Sequence, residues 1–135
     1  SEATARQFGV HPTGHAGLGA KVSVGPDWFE VSSSKGVSGA ASHLDHRNAA
    51  DTFVLIESLN ALHAGVKASQ GAFSLPFDGW LVKDGERISV EAATIAGDIR
   101  DVLKGIVHLE PNEVVTHQGV SPHVWVDGLA ITGEA

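Results

Sequence analysis

Apolar and polar residues divide the chain mainly into short segments that have the character of strands. Each segment either alternates in period two or is a brief apolar run of strand length. They are Lys21–Val24, Trp28–Val31, Thr52–Leu59, Gln70–Val82, Arg87–Val90, Ile106–Leu109, Val124–Val126 and Leu129–Thr132. Asp84-Gly85 joins two of them and is a strong signal for a tight hairpin. Strands therefore dominate, with hairpin-like connections.

Three segments have a helical character. The clearest is Ile95–Gly105, for which Thr94 is the predicted N-cap and Gly105 the predicted end. Ala3–Gly9 and Ala40–Ala50 are shorter candidates. Together with the strands they predict an α+β fold of mostly antiparallel strands, in a sheet or a partly closed barrel, with one to three short helices.

Two polar stretches predict long connections. Ser32–Ser42 is rich in serine and glycine, and Glu110–Pro122 contains two prolines among polar residues. Both are expected to be loops on the surface, which is where binding residues often lie.

Composition limits the classes of function. The 135 residues suit a single domain, residues 1–135, and a net charge of −7 with only 9 Lys and Arg argues against direct binding to nucleic acid. The longest apolar runs have strand length, which argues against a membrane span. Cysteine is absent, which excludes disulfides and thiolate ligands and fits a cytoplasmic protein. Methionine is also absent, which suggests a fragment of a longer protein.

Four blocks of sequence, in order, carry a family resemblance. The first runs from Thr-Ala-Arg at residues 4–6 into Thr-Gly-His-Ala-Gly at residues 13–17. The second is Gln70–Glu86, the third is Val90–Ile106 with its Thr-Ile-Ala-Gly, and the last is Leu129–Gly133. Together they resemble the C-terminal part of the TldD/PmbA family, metallopeptidase subunits once described as modulators of DNA gyrase.

The resemblance implies a peptidase context with the chemistry placed elsewhere. Catalytic subunits of the family carry His-Glu-x-x-x-His upstream and a Gly-x-Cys element in their C-terminal part. Here residues His117–Ser121 stand where that cysteine would fall. The resemblance is therefore to the PmbA (TldE-type) subunit, which is expected to be non-catalytic because it lacks the metal residues. It implies that this chain holds no cofactor and that zinc lies in the partner subunit or in a missing region. It also implies a dimer, in which the partner is a TldD-like subunit or a second copy of this chain.

Candidate site residues follow from the same resemblance. His15, His117 and Ser121 are expected to contact a short or unfolded peptide substrate. His43 and His46, three residues apart, form a weaker alternative metal site. Two other functions stay open: a protein-interaction module linked to modulation of DNA gyrase, and a stand-alone, His-rich, metal-dependent hydrolase.

Overall fold

The computed structural model describes residues 1–17, 19–32 and 52–134, and these adopt an α+β fold dominated by antiparallel strands. The helices are α1 (Glu2–Phe8), α2 (Leu62–Gly65) and α3 (Ile99–Lys104). The strands are β1 (Ala16–Gly17), β2 (Ser23–Val24), β3 (Phe29–Glu30), β4 (Thr52–Leu59), β5 (Val66–Lys67), β6 (Ala72–Lys83), β7 (Glu86–Asp98), β8 (Ile106–Val115), β9 (Gly119–Val126) and β10 (Ala130–Glu134). The predicted fold class is confirmed, and within the described residues the sheets do not close into a barrel.

A five-stranded antiparallel sheet forms the centre of the fold. Its order is β10-β7-β6-β4, and β5 pairs with the other end of β6. Long strands β6 and β7 are joined by Asp84-Gly85, whose positive φ angles of 50° and 81° fit the predicted tight hairpin. The predicted strand Thr52–Leu59 is confirmed as β4.

The core lies on one face of this sheet. Leu75 and Phe77 of β6 pair with Ile95 and Ala93 of β7, and all four side chains are buried. Partly buried side chains pack around them, among them Val54, Ile56, Phe73, Val90 and Leu129. Every second residue of a strand supplies this face, because successive side chains of a strand point to opposite sides.

A line of bulges, here called the crease, crosses the central sheet. Glu57 is an extra residue of β4 beside Asp78 of β6, and Glu91-Ala92 of β7 face the same Asp78. The pairing of β10 with β7 shifts at the same level. Ala92 has a positive φ of 49°, which is the strained conformation that a bulge can impose. Asp78 accepts hydrogen bonds from Ser58 and Asn60 at 2.9 and 2.8 Å, which holds the end of β4 across the bulge.

The helix predicted over Ile95–Gly105 is correct only in its second half. Residues Thr94–Asp98 continue β7, and the helix α3 begins at Ile99. Its N-cap is Asp98 instead of the predicted Thr94, because the Asp98 carboxylate accepts the Arg100 backbone N–H at 2.8 Å. Gly105 ends the helix as predicted.

A three-stranded sheet, β3-β9-β8, contains most of the segment that was predicted to be a loop. Residues Glu110–Val115 extend β8 and Gly119–Pro122 begin β9, so the long connection over Glu110–Pro122 is wrong. The pairing of β8 with β9 shifts between Leu109 and Glu113, and this irregularity accommodates Pro111, which cannot donate a ladder hydrogen bond.

The N-terminal residues form a separate group of small elements, here called the arm (residues 1–17 and 19–31). It contains α1, which confirms the short helix predicted at Ala3–Gly9, the β1–β2 hairpin and β3. Two predictions lie outside the described residues. They are the helix over Ala40–Ala50 and, except for Ser32 itself, the loop over Ser32–Ser42. No helix in the described part of the chain has the length and apolar character needed to cross a membrane.

Candidate functional site

The β8–β9 hairpin carries two of the three predicted substrate contacts. A tight turn closes it, in which Thr116 N donates to Gly119 O at 2.8 Å. Gln118 N donates to the Thr116 hydroxyl at 3.2 Å. His117 is exposed at the tip, and Ser121 is half-buried on β9, where its hydroxyl donates to Pro122 O at 2.9 Å. His117 and Ser121 therefore belong to one element.

Strand β3 connects the third predicted residue, His15, to this hairpin. Phe29 N donates to Gln118 O and Val31 N donates to Val120 O, both at 3.0 Å, in a parallel pairing with β9. His15 lies 4.0 Å from the carboxylate of Asp27, two residues before β3. The Thr13 hydroxyl and His15 Nδ1 also share a hydrogen bond of 3.1 Å. The arm that contains His15 therefore pairs, through β3, with the hairpin that carries His117 and Ser121.

Gly119 makes the attachment of the arm possible. A Cβ atom at this position would lie 2.1 Å from Phe29 O and 2.9 Å from Phe29 C, far closer than any side-chain carbon can approach. Backbone contact between β3 and β9 therefore requires glycine here. The family resemblance implies a cysteine in this stretch for catalytic subunits, whereas the role of Gly119 follows from its contact with Phe29 in three dimensions.

A cleft of about 640 Å³ lies between the two larger sheets, and it is here called the intersheet cleft. One wall is β4 and the other is the second half of β9. The rings of Phe53 and Trp125 meet across it with centroids 4.8 Å apart and a tilt of 56°. This arrangement is the tilted ring packing that aromatic pairs prefer.

Glu110 lies in the lining of the intersheet cleft and was not among the predicted site residues. Its side chain is only 7% exposed, and Trp125 Nε1 donates to Glu110 Oε1 at 3.1 Å. His123 also lines the cleft. The signal available in the sequence was period-two spacing of His108 and Glu110, but Pro111 directly after them made the segment resemble a loop.

The alternative metal site at His43 and His46 lies outside the described residues. Within the described part of the chain, no group of three or more His, Cys, Asp or Glu side chains is placed so that it could hold a metal ion.

Comparison with known proteins supports the resemblance of the sequence blocks. The family model described as PmbA/TldA metallopeptidase C-terminal domain matches residues 1–133. Among solved structures, a protein from Thermotoga maritima described as a candidate modulator of a DNA gyrase matches with a TM-score of 0.76 and 30% identity. The match covers 98% of this chain and 29% of that chain, so this chain spans less than a third of the relative's length. A search of curated proteins finds no match.

Proposed function

Because the chain belongs to the PmbA/TldA metallopeptidase C-terminal domain family, we propose that it is a non-catalytic part of a metal-dependent peptidase that acts on short or unfolded peptides. The observation that carries this proposal is the match over residues 1–133, nearly the whole chain. A cytoplasmic location and a peptide substrate are parts of the same proposal. The metal chemistry is assigned to a partner subunit of the TldD type.

The chain's own residues support the non-catalytic role. Residues 117–121 occupy the position at which the catalytic subtype is expected to carry cysteine, and this sequence has none. In their place stand a tight turn and Gly119, whose backbone contact with Phe29 anchors the arm. This position therefore serves the packing of two strands, and a cysteine ligand for zinc would come from a partner subunit or from a region outside these 135 residues.

The hairpin tip is the proposed peptide contact. His117 is exposed there, and His15 is attached to the same hairpin through β3. Two imidazoles and the Ser121 hydroxyl supply donors and acceptors for the backbone of a peptide. A peptide in extended conformation is also suited to strand addition at a free sheet edge.

The arm is the proposed contact with a partner subunit. Six large apolar side chains on it are more than half exposed: Phe8, Val10, Val22, Val24, Trp28 and Phe29. Phe8, Val10 and Val24 line one hollow of about 660 Å³, so these three exposed side chains form a contiguous apolar patch. Contiguous apolar patches of this kind typically mark protein–protein contacts.

The proposal is tested by separating metal content from peptide contact. We expect the purified chain to hold no stoichiometric zinc by elemental analysis and to cleave no fluorogenic peptide. Mixed with a zinc-containing TldD-like subunit, it should raise the rate of cleavage. His117→Ala in this mixture should lower kcat/KM about fivefold, the effect of one lost hydrogen bond, without changing zinc content.

His63→Ala is the matched control, since His63 is exposed on α2, away from the hairpin, and this variant should behave as the unmodified chain. About one tightly held zinc per isolated chain would contradict the proposed division of labour. It would favour the stand-alone, His-rich hydrolase, in which case His43→Ala with His46→Ala should abolish the zinc.

A second candidate function comes from the description of the Thermotoga relative as a candidate modulator of a DNA gyrase. In that case the chain would act through protein contact, since a net charge of −7 is unfavourable for DNA binding. Affinity capture from cell extract distinguishes the two functions. Recovery of a TldD-like chain supports the peptidase, and recovery of gyrase without that chain supports the second function.

A further inference from the structure

The chain contains three Asp-Gly dipeptides, which are Asp78-Gly79, Asp84-Gly85 and Asp127-Gly128. In such a dipeptide the backbone nitrogen of glycine can attack the aspartate side-chain carboxyl group, because glycine has no side chain that blocks the approach. The product of this rearrangement is isoaspartate. All three have the same two residues, so their surroundings in the fold decide which of them reacts.

Ring closure is opposed at Asp78. The reaction expels a carboxyl oxygen as water, so it needs a carboxyl group that can take up a proton. Hydrogen bonds donated by Asn60 and Ser58, at 2.8 and 2.9 Å, hold the Asp78 carboxylate and lower its pKa. The following peptide group must also rotate, yet a Cβ atom at Gly79 would overlap Leu55 O, so the backbone there is tightly packed.

The backbone around Asp127 is held in a different way. Asp127 N donates to Gly105 O at 2.9 Å. A Cβ atom at Gly105 would lie only 2.5 Å from Asp127 O, so the peptide group that follows Asp127 packs against the Gly105 backbone. Rotation of this peptide group towards the Asp127 side chain would break that packing.

The surroundings of Asp84-Gly85 are open. Both residues are exposed at the tip of the β6–β7 hairpin. A Cβ atom at Gly85 would meet no atom within 4 Å, so the peptide group between them has room to rotate. In the described part of the chain, no backbone hydrogen bond holds Gly85 N and no ion pair holds the Asp84 carboxylate. Exposed tips of this kind are where a chain is most open to chemical change.

We propose that Asp84 is a site of spontaneous isoaspartate formation, a modification that marks the β6–β7 hairpin as the protein ages. Gly85 N forms a bond to Asp84 Cγ, and a Cγ–O bond breaks with loss of water. Water then opens the resulting succinimide ring. Attack at Cγ restores aspartate, whereas attack at the backbone carbonyl carbon leaves the chain running through Cγ as isoaspartate. Water is the only co-reactant, and nothing is oxidised or reduced.

The modification changes the hairpin because isoaspartate adds a methylene group to the backbone of the turn. The tight turn joins Lys83 and Glu86, which are the last paired residues of β6 and β7. Its two central residues have the positive φ angles that a two-residue turn requires, and a longer backbone does not fit this geometry. The pairing next to the turn should therefore loosen, while the rest of the central sheet is unchanged.

The test ages the complete 135-residue chain at neutral pH and physiological temperature, once folded and once unfolded in guanidinium chloride. Peptide mapping with electron-transfer fragmentation measures isoaspartate at each dipeptide, because isoaspartate and aspartate have equal mass but different fragment ions. We expect similar rates at all of them in the unfolded chain. In the folded chain, Asp84 should react at least about tenfold faster than Asp78, whose carboxylate is held by hydrogen bonds, and faster than Asp127.

Asp84→Glu is the matched control. It keeps the negative charge at the tip but would have to close a larger, less favourable ring, so position 84 should stay unmodified during ageing. Amide hydrogen exchange should become faster at Lys83 and Glu86 in the aged chain and stay unchanged in aged Asp84→Glu. Since Asp78 and Asp127 are compared within the same chain, the ranking of rates does not depend on how well this variant folds.

Two results would overturn the proposal. One is equal suppression of the reaction at Asp78, Asp84 and Asp127 on folding, which would mean that the hairpin protects Asp84 as well as the sheet protects Asp78. The other is faster reaction of the folded chain at Asp78 or Asp127 than at Asp84. Either result leaves the proposed peptidase function untouched, because the modification does not involve its residues.

Discussion

At the scale of single residues, Asp98 shows how one carboxylate can end a strand and start a helix. It accepts Arg100 N at 2.8 Å, Arg100 Nε at 2.9 Å and Arg100 Nη2 at 2.8 Å. The side-chain hydrogen bonds from Arg100, followed by the backbone hydrogen bond, lower the pKa of Asp98 from 3.8 to about 2. Asp78 at the crease is similar, because hydrogen bonds from Asn60 and Ser58 lower its pKa.

The lowered pKa of Asp98 predicts a pH dependence of stability. The folded state favours the ionised carboxylate, so the stabilisation is complete above about pH 4 and is lost as the pH falls towards about 2. We expect Asp98→Asn to lower the midpoint of urea unfolding at pH 7. The difference from the unmodified chain should shrink steadily between pH 4 and pH 2.

Asp84→Asn provides the control for this measurement. Asn-Gly suits the β6–β7 hairpin turn as well as Asp-Gly does, so this change removes one carboxylate without removing a cap. Its effect on the midpoint should be small and should not follow the same pH window. An equal loss of stability by Asp98→Asn at pH 2 and pH 7 would contradict the role of the ionised carboxylate.

At the scale of elements, the errors of the sequence interpretation have a common physical origin. Strand β7 carries Val90 inward before the crease and Ala93 and Ile95 inward after it, so the phase of its alternation changes at Glu91-Ala92. The strand signal therefore ends at Val90, and the apolar residues beyond it match a helical period by coincidence. Regular elements were predictable. Examples are β4, whose alternation does not change phase until Glu57, and the Asp84-Gly85 hairpin.

The pairing of β3 with β9 gives a prediction about one element. Gly119→Ala should detach the arm, because its Cβ would overlap Phe29 O. We expect the amides of Phe29 and Val31, which donate to β9, to exchange with deuterium at least about tenfold faster, as a loss of about 1.4 kcal/mol in local stability implies. Hydrogen-exchange NMR or mass spectrometry measures this change.

Gly25→Ala is the matched control in the same arm. A Cβ atom there meets no atom within 4 Å, so exchange at β3 should not change. Amides of the central sheet, such as those of β6, should keep their protection in both variants. Unchanged exchange at Phe29 in Gly119→Ala would show that β9 can move away without releasing the arm.

At the scale of the whole molecule, the family and the fold class were predictable, while the candidate site was predictable only in part. The family is indicated by contiguous blocks of sequence, so it can be predicted without a structure. The arm that contains His15 reaches the hairpin only through the pairing of β3 with β9. The intersheet cleft is formed by two sheets, and its lining residues are up to 79 positions apart in the sequence. Contacts of that separation leave no periodic signal. Glu110 was not predicted because Pro111, directly after it, makes the segment resemble a loop.

The apolar patch of the arm predicts how the molecule associates. Phe8→Ser with Val10→Ser should weaken binding to a TldD-like subunit at least about tenfold, because two exposed apolar side chains lose the area they would bury. Sedimentation velocity of mixtures over a range of concentrations gives the dissociation constant.

Leu103→Ser is the control for this prediction, since Leu103 is 64% exposed on α3, outside the arm. It should bind the partner as the unmodified chain does. The opposite ranking, with Leu103→Ser weak and the arm variant unchanged, would move the interface to α3 and contradict the role of the arm.

The crease also governs how the length of this domain can change during evolution. Each surplus residue at Glu57 and at Glu91-Ala92 reverses the in-and-out order of the side chains that follow it. Loss of one codon there restores a regular ladder and keeps every later side chain on its present face. Loss of one codon elsewhere in β4 or β7 turns the core face of the remaining strand towards solvent. Within these strands, relatives of different length should therefore differ at the crease.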